Sequence, residues 1–521
     1  MCSYPFDSGG DAPWFRIRYA KVRGASVIRI SSLAVVIACL GSVNQAQEWT
    51  SVRSPHFVVS TDAGEKRCRE VAVRFEQMRL VFEKLLSNDK LTSPVPLQIL
   101  AFRNSKGFSQ IAPLRNGKPD PGIVGVFQTG GDMNFIALDV STEAGFPVVF
   151  HEYAHSVLHA NFRRLPLWFD EGVAMYYETA KTVQGHAQIG GTPKYLDTFL
   201  YHRALMPVVE LFGVTNDAKI YGENSERRQL FYDQSWVVVH YLFDKQKMAD
   251  FGKYMELTAN QHKPIPEAIE AAFHMTPKKF DDEIASYLNL SLRQVFVIDE
   301  SMSIDESSFV IQPLDPADAE ALIANMHWHS TDHHEKGLEE YKEVLSKNLN
   351  QVDANLGLGY AALLSKNYDE AETYLRKAAS VDKKNARCQF LLGILQLRRS
   401  STDENKQDLL VDAWNHLKAA TTISPELAEA HSELAYALSK LGDKDGAIKE
   451  ATTAARLNQG NERYFLNLAE LYFEFKKYEQ AKTVFEQLTS STDRKIAALA
   501  NQRLETLKTS DVSPNSTAPK Q

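Results

Sequence analysis

His151-Glu152-Tyr153-Ala154-His155, followed by Leu165-Pro166-Leu167-Trp168-Phe169-Asp170-Glu171-Gly172, is the stretch from which the rest of the chain is read. On a helix, residues four apart lie one above the other on one face. His151 and His155 then present two imidazoles at the separation that two ligands of one tetrahedral metal require. Glu152 lies beside the first of them, within reach of a water on that metal. Pro147 suits the first turn of this helix, which runs to about Asn161. Leu165-Pro166 breaks it, and a second helix follows over Trp168–Thr179. A reversal between the two returns Glu171 to the histidine pair as third donor, with Asp170 and His159 as the other candidates. Two His and one Glu leave a fourth position open, as a catalytic zinc needs.

Upstream of this pair the pattern is strand-rich. Ser54–Ser60, Val95–Phe102, Val124–Phe127 and Asn134–Leu138 read as strands, and Ala63–Leu86 has helical periodicity. Gln128–Asp132 reads as a hairpin turn. Strands followed by a metal-bearing helix predict an α+β domain over residues 48–298. The Asn134–Leu138 strand is the expected place for an extended peptide to bind by strand addition.

His151-Glu152-x-x-His155 with Trp168-Phe169-Asp170-Glu171-Gly172-Val173-Ala174 resembles the gluzincin metallopeptidases, in particular the peptidase-MA-like group related to aminopeptidase-type catalytic domains. The resemblance is strongest over residues 147–180 and weaker to about 245. It implies one zinc per chain bound by His151, His155 and Glu171, with Glu152 as general base. It implies that Glu178, seven residues past Glu171, stands behind the ligands and holds a ligand histidine's other nitrogen. It also implies that Tyr232, opening an apolar helical run, donates a hydrogen bond to the tetrahedral intermediate. The chain departs from aminopeptidase-type relatives in lacking the glutamate of their Gly-x-Met-Glu-Asn element; the nearest stretch is Gly130-Gly131-Asp132-Met133-Asn134. The thermolysin-type Glu-x-x-x-Asp is absent too, because Met175 stands where its Asp would fall. Endopeptidase action is therefore expected over aminopeptidase action. Tyr176, Tyr177 and His240 are expected to be packing residues.

The second half repeats itself. Gly359 and Gly393 lie 34 positions apart, as do Ala435 and Ala469, with an eight-residue insertion around Ser400–Gln407 between them. Small residues at these offsets, with Ala371, Ala378, Ala413, Ala420, Ala447, Ala454 and Ala481, resemble tetratricopeptide repeats, whose helix pairs need small residues to approach closely. Five units are expected over residues 318–351, 352–385, 386–427, 428–461 and 462–491, then a capping helix to 508 and a disordered tail over 509–521. Together they predict an all-α solenoid with a concave face for a protein or peptide partner. His327, His329, His333 and His334 read as a solvated helix end and turn rather than a metal site. The acidic, Pro-containing stretch 299–317 reads as a linker.

Residues 1–46 have the order of a secretory leader: basic over 16–29, apolar over Ile30–Val43, then polar. Val36-Ile37-Ala38-Cys39 also fits a lipoprotein box acylating Cys39, and an uncleaved anchor is the third reading. All three place the mature chain outside the cytoplasm, periplasmic or extracellular, with membrane anchoring through the leader as an option. Net charge is −8 with a pI near 6.0, so nucleic acid is not an expected partner. Four cysteines, two of them in the leader, make neither a disulfide framework nor a cysteine zinc site. The chain thus reads as an exported zinc metallopeptidase whose repeats bind a protein or peptide. Two alternatives stand beside it: an interaction protein with an inactive zinc domain, and a zinc hydrolase of a non-protein amide.

Overall fold

The computed structural model describes residues 48–511 except 86–90, 94, 131, 194–195, 197–203, 216–224, 291–294, 299–300 and 402–404. The expectations for the leader, for the tail beyond 511 and for Asp299-Glu300 lie outside the described residues.

The first half is built on a six-stranded sheet. Its strands are β1 (Trp49–Arg53), β2 (Val58–Thr61), β3 (Leu97–Phe102), β4 (Gly125–Gln128), β5 (Asn134–Asp139) and β6 (Val310–Leu314). The spatial order is β6-β1-β2-β3-β5-β4. β2, β3 and β5 are parallel, and the outer pairings are antiparallel. Successive side chains on a strand point to opposite faces, and both faces are covered. Ile99, Ala101, Ile136 and Leu138 pack on the side of helix α1 (Glu65–Leu85) and helix α2 (Gly145–Asn161). Leu100, Phe102, Phe135 and Ala137 face the other way, onto Ala319 and Met326. Helix α3 (Leu167–Glu178) packs beside α2, and α4 (Ser225–Asp244) packs beside α3. The further helices Met248–Met255, Ile265–Phe273 and Pro277–Leu290 lie behind it.

The second half is a row of helix pairs: α5 (Pro316–His329) with α6 (His334–Lys347), α7 (Val352–Leu364) with α8 (Tyr368–Val381), α9 (Ala386–Ser400) with α10 (Lys406–Ile423), α11 (Ala428–Leu441) with α12 (Lys444–Leu457), and α13 (Glu462–Glu474) with α14 (Tyr478–Leu488), closed by α15 (Arg494–Asp511). The expected unit starts at 352, 386, 428 and 462 are each the first residue of a helix. Small residues at the crossings explain the pairing. A Cβ on Gly393 would lie 2.5 Å from the Leu417 side chain, and one on Gly337 would lie 2.3 Å from the Trp328 backbone. Neither pair of helices could close on a larger residue.

Three expectations are corrected. Part of the stretch read as a linker over 299–317 is the edge strand β6, paired antiparallel with β1 from Trp49–Leu314 to Arg53–Val310. Pro313 is compatible with this because an edge strand can leave one side of its ladder unpaired. Helix α5, assigned to the repeats, is also the cover of one sheet face, so the two halves share a core. Strand β5 cannot take up a peptide, since β3 and β4 occupy both its sides; the edge of the sheet on that flank is β4.

The histidine cluster at the end of α5 is not solvated, and this too departs from the sequence reading. His327 Nε2 lies 2.9 Å from the Gln110 carbonyl, His333 Nε2 lies 3.0 Å from that of Ala112, and His329 Nε2 lies 2.8 Å from Asp132 Oδ1. The other Asp132 oxygen accepts from Arg387 Nε on α9 at 2.5 Å. Burial works against charge on Asp132, but Arg387 and His329 outweigh it and hold the carboxyl at about 2. Unfolding frees that carboxyl to titrate near 4. The contact therefore contributes fully above about pH 4 and is lost as pH falls through about 2. Asp132→Asn should cost about 3–5 kcal/mol at neutral pH, because it takes from the buried Arg387 the carboxylate that bonds it and leaves Asp353 as its acidic neighbour. Urea unfolding would show the loss, and limited proteolysis would show the halves becoming separable. Unchanged stability would mean the pair does not hold the halves together.

Candidate metal centre

Helix α2 is buried nearly all round, as a helix in the middle of a domain must be. Tyr153 on its back packs among Phe57, Phe75 and Phe82. The helix stops at Asn161, whose side-chain amide donates to the Val157 carbonyl at 2.9 Å and whose oxygen accepts from Thr92 N at 3.0 Å. The chain then reverses through Arg164, which has a left-handed φ of 57°, and Pro166 starts α3. Trp168 stacks on Phe212 and Phe169 on Phe251, which pins the first turn of α3.

This reversal brings His151, His155 and Glu171 together. The two Nε2 atoms are 3.2 Å apart, and Glu171 Oε2 lies 3.6 Å from that of His151 and 3.4 Å from that of His155. Ligands at about 2.0–2.1 Å from a tetrahedral zinc lie about 3.3–3.4 Å from one another. The three donor atoms therefore already form one face of such a tetrahedron. His151 and Glu171 are buried and His155 is partly exposed.

Behind the donors stand two more carboxylates. Glu178 Oε2 is 3.3 Å from His151 Nδ1, and Asp170 Oδ1 is 3.0 Å from His155 Nδ1. A carboxylate at the outer nitrogen fixes the ring and turns Nε2 towards the metal. Asp170 also takes His159 Nε2 on its other oxygen at 2.8 Å. His155, His159 and Asp170 are close enough to count as a second potential ligand group, but it shares His155 with the first. Burial disfavours charge on both imidazoles, yet Glu171 and Glu178 raise the pKa of His151 to about 9. Asp170 and Glu171 likewise raise that of His155. Glu171 is itself lowered against burial by the two imidazoles. A divalent cation would meet the same electrostatic demand that protons meet here.

Gly172 allows α3 and α4 to touch. A Cβ there would lie 2.5 Å from the Ser235 carbonyl oxygen and 2.6 Å from Val239. Tyr232, one turn before Ser235 on this contact face, is partly buried and flanked by Phe231. Glu152 is partly exposed. The sequence reading did not single out Asp233. It is fully buried, accepts from Gln229 at 2.8 Å, and burial pushes its carboxyl up to about 7. An acidic residue inside the apolar run Phe231–Val239 was the available signal. Tyr176 and Tyr177 are core residues, and His240 is buried with Nδ1 2.5 Å from the Tyr287 hydroxyl.

A family profile described as tetratricopeptide repeat matches residues 331–386 and 432–493, and the second half of the chain is an all-helical solenoid of that class. Such repeats serve as scaffolds for protein or peptide partners. A profile described as a protein of unknown function (DUF1570) matches residues 146–266, which contain the whole donor set. No curated protein matches the chain. Among solved structures, the chain is similar to a thermophilic tetratricopeptide protein of Thermus thermophilus (15% identity over 37% of this chain and 99% of that one, TM-score 0.31). It is also similar to YrrB, titled a tetratricopeptide protein with an unusual peptide-binding site (20%, 36% and 91%, TM-score 0.29). A third is pilF of Pseudomonas aeruginosa (18%, 37% and 91%, TM-score 0.30).

Replacing either outer carboxylate, Glu178→Gln or Asp170→Asn, should weaken zinc binding by about 10–100-fold with the fold intact. Competition against a chromogenic chelator measures this directly. Affinities equal to wild type would show that the carboxylates only pack beside the ligands.

Proposed function

We propose that this chain is an exported, zinc-dependent metallopeptidase of the gluzincin type that hydrolyses internal peptide bonds and uses its repeats to engage protein or peptide. The observation that carries the reading is the donor triangle of His151, His155 and Glu171, with its 3.2–3.6 Å sides. Zinc in that position supplies Lewis-acid polarisation of a carbonyl and a water made acidic enough to attack near neutral pH.

The chain's own residues then have separate tasks. Glu152 adjoins the first ligand on α2 and takes the proton from the attacking water, later passing it to the leaving amine. Tyr232 donates to the oxyanion from α4, whose spacing from α3 is set by Gly172. Glu178 and Asp170 hold the imidazoles in place. Asp132, next to where the missing amine-binding glutamate would fall, docks the solenoid instead, which supports endopeptidase over aminopeptidase action. Export is the reading of the leader, and among the described residues no helix is long and apolar enough to cross a membrane.

The purified protein should contain one zinc per chain and cleave unstructured peptides in a chelator-sensitive way. Glu152→Gln should keep its zinc and lose about 10²–10⁴-fold in rate. Metal analysis with peptide cleavage profiling of both proteins checks this. Zinc-replete wild type that cleaves no peptide would instead favour the scaffold reading or a non-protein amide substrate. Full activity in Glu152→Gln would refute the assigned base.

A further inference from the structure

Besides the cover that α5 gives to the sheet, the solenoid touches the metal-binding half at two further places. On one side Asp132, just beyond edge strand β4, is held by His329 and by Arg387 in the first turn of α9. On the other, the end of α2 meets the turn before α13. Gln459 N donates to the Ala160 carbonyl at 2.9 Å. Arg164 Nε donates to Glu462 at 2.5 Å, and Arg164 also donates to the Gln487 carbonyl. Arg163 lies 4.5 Å over the Phe465 ring. The second contact is close-packed: a Cβ on Gly460 would fall 1.9 Å from the His159 carbonyl oxygen. His155 is five residues before Ala160, about 7.5 Å of helix rise from this contact.

What lies between the two contacts follows from the stacking. The first helices of successive units, α7, α9, α11 and α13, touch in series, while the second helices approach one another less closely. The stack therefore curves with the first helices inside. The starts of α9 and α13 both rest on the metal-binding half. The start of α11 lies between them in the stack, and the two contacts are made by the turn after β4 and by the end of α2, the helix that carries His151 and His155. Glu429 occupies the place in α11 that Arg387 occupies in α9, one residue past the helix start. It accepts from the Tyr464 hydroxyl of α13. Glu433 is one turn further on the same face. It is partly exposed yet enclosed, and burial together with the charge of Glu429 pushes its carboxyl up to about 7.

We propose that the inner face of the solenoid is the second wall of the substrate cleft, so that the site accepts polypeptide only as an extended segment lying between edge strand β4 and the first turns of α9, α11 and α13. This rests on the peptidase reading above. The extended occupant suits both walls. Among the described residues β4 has no strand on its outer side, and a wall tied at both ends to the half that carries the donors cannot swing aside for a folded domain. The repeats then act on chain conformation at the site itself, rather than as a remote tether.

Two measurements test this on the full chain. The first compares cleavage of one reporter protein in its folded form and in a permanently unfolded variant. The wild type should prefer the unfolded form by at least about a hundredfold. Gly460→Val, which wedges the second contact, and Glu462→Ala, which removes its counter-charge, should each shrink that preference about tenfold or more. Limited proteolysis of the 458–461 turn would confirm that the contact has opened. The second measurement needs no turnover. In zinc-loaded Glu152→Gln carrying Glu433→Cys, bound unfolded peptide should slow maleimide labelling at position 433, followed by mass spectrometry; the described cysteines Cys68 and Cys388 are buried.

Equal cleavage of folded and unfolded reporter overturns the proposal. So does an opened contact with unchanged preference, or a peptide that is bound and cut while position 433 labels at its free rate. Zinc-loaded wild type that neither binds nor cuts any peptide overturns the peptidase reading and the cleft with it, and that failure is recognisable because nothing is bound.

Discussion

Two imidazole nitrogens held 3.2 Å apart in a buried site are an electrostatic liability. If both rings are charged they repel, and if neither is, the carboxylates around them are stranded. The structure resolves this by enclosing the pair with three carboxylates: Glu171 at the inner nitrogens, and Glu178 and Asp170 at the outer ones. That arrangement needs α2 and α3 to be rigid neighbours, and much of the surrounding structure serves that need. The reversal at Arg164–Pro166, the stacked Trp168 and Phe169, and the missing side chain at Gly172 each fix one degree of freedom of α3. Loosening any of them would cost more than local packing, because it would separate charges that are tolerated only together.

The same logic extends outward to the solenoid. Asp132 and Arg387 are 255 positions apart in the chain and share a buried contact with His329. Neither charge would be stable there alone. Helix α5 adds an apolar contribution, since Ala319 and Met326 close the sheet face formed by Leu100, Phe102, Phe135 and Ala137. The first repeat thus belongs to two structures at once.

Local periodicity made much of this legible. The i, i+4 histidines, the helix break at Leu165-Pro166 and the 34-residue recurrence of small residues are short-range signals, and each maps onto a helix start, stop or crossing. The position of Glu178 beside His151 was legible only through family resemblance. Asp170 shows what periodicity cannot carry. It is the neighbour of Glu171 on one helix, so the two side chains leave about 100° apart. That both reach His155 depends on the tilt between α2 and α3, which no residue spacing encodes. The histidines at the end of α5 were misread for a related reason. A polar run at a helix end looks solvated unless its partners, here the carbonyls of Gln110 and Ala112 and the carboxylate of Asp132, are known to be nearby. Val310–Leu314 was hidden by Pro313, a residue that argues against a central strand but not against an edge.

The shared helix has a consequence for how the two halves relate in energy. Solenoids are usually sums of weakly coupled nearest-neighbour units, and an end unit can fray without disturbing the rest. Here the first unit cannot fray, because opening α5 would expose the Phe135 and Leu100 side of the sheet that carries β4 and β5. The last unit is tied as well, through Glu462 and the turn at Gly460. A solenoid held at both ends loses the independent fluctuations of its terminal repeats. Between them α9 has its own tie through Arg387 and Asp132, so α11 is the first helix left to adapt by bending. Helix α2 ends at one of those ties and the edge strand β4 leads into the other. Any bending of α11 would therefore act on the interval between the two ties, while the donor triangle, braced from behind by Tyr153 and α3, keeps its dimensions.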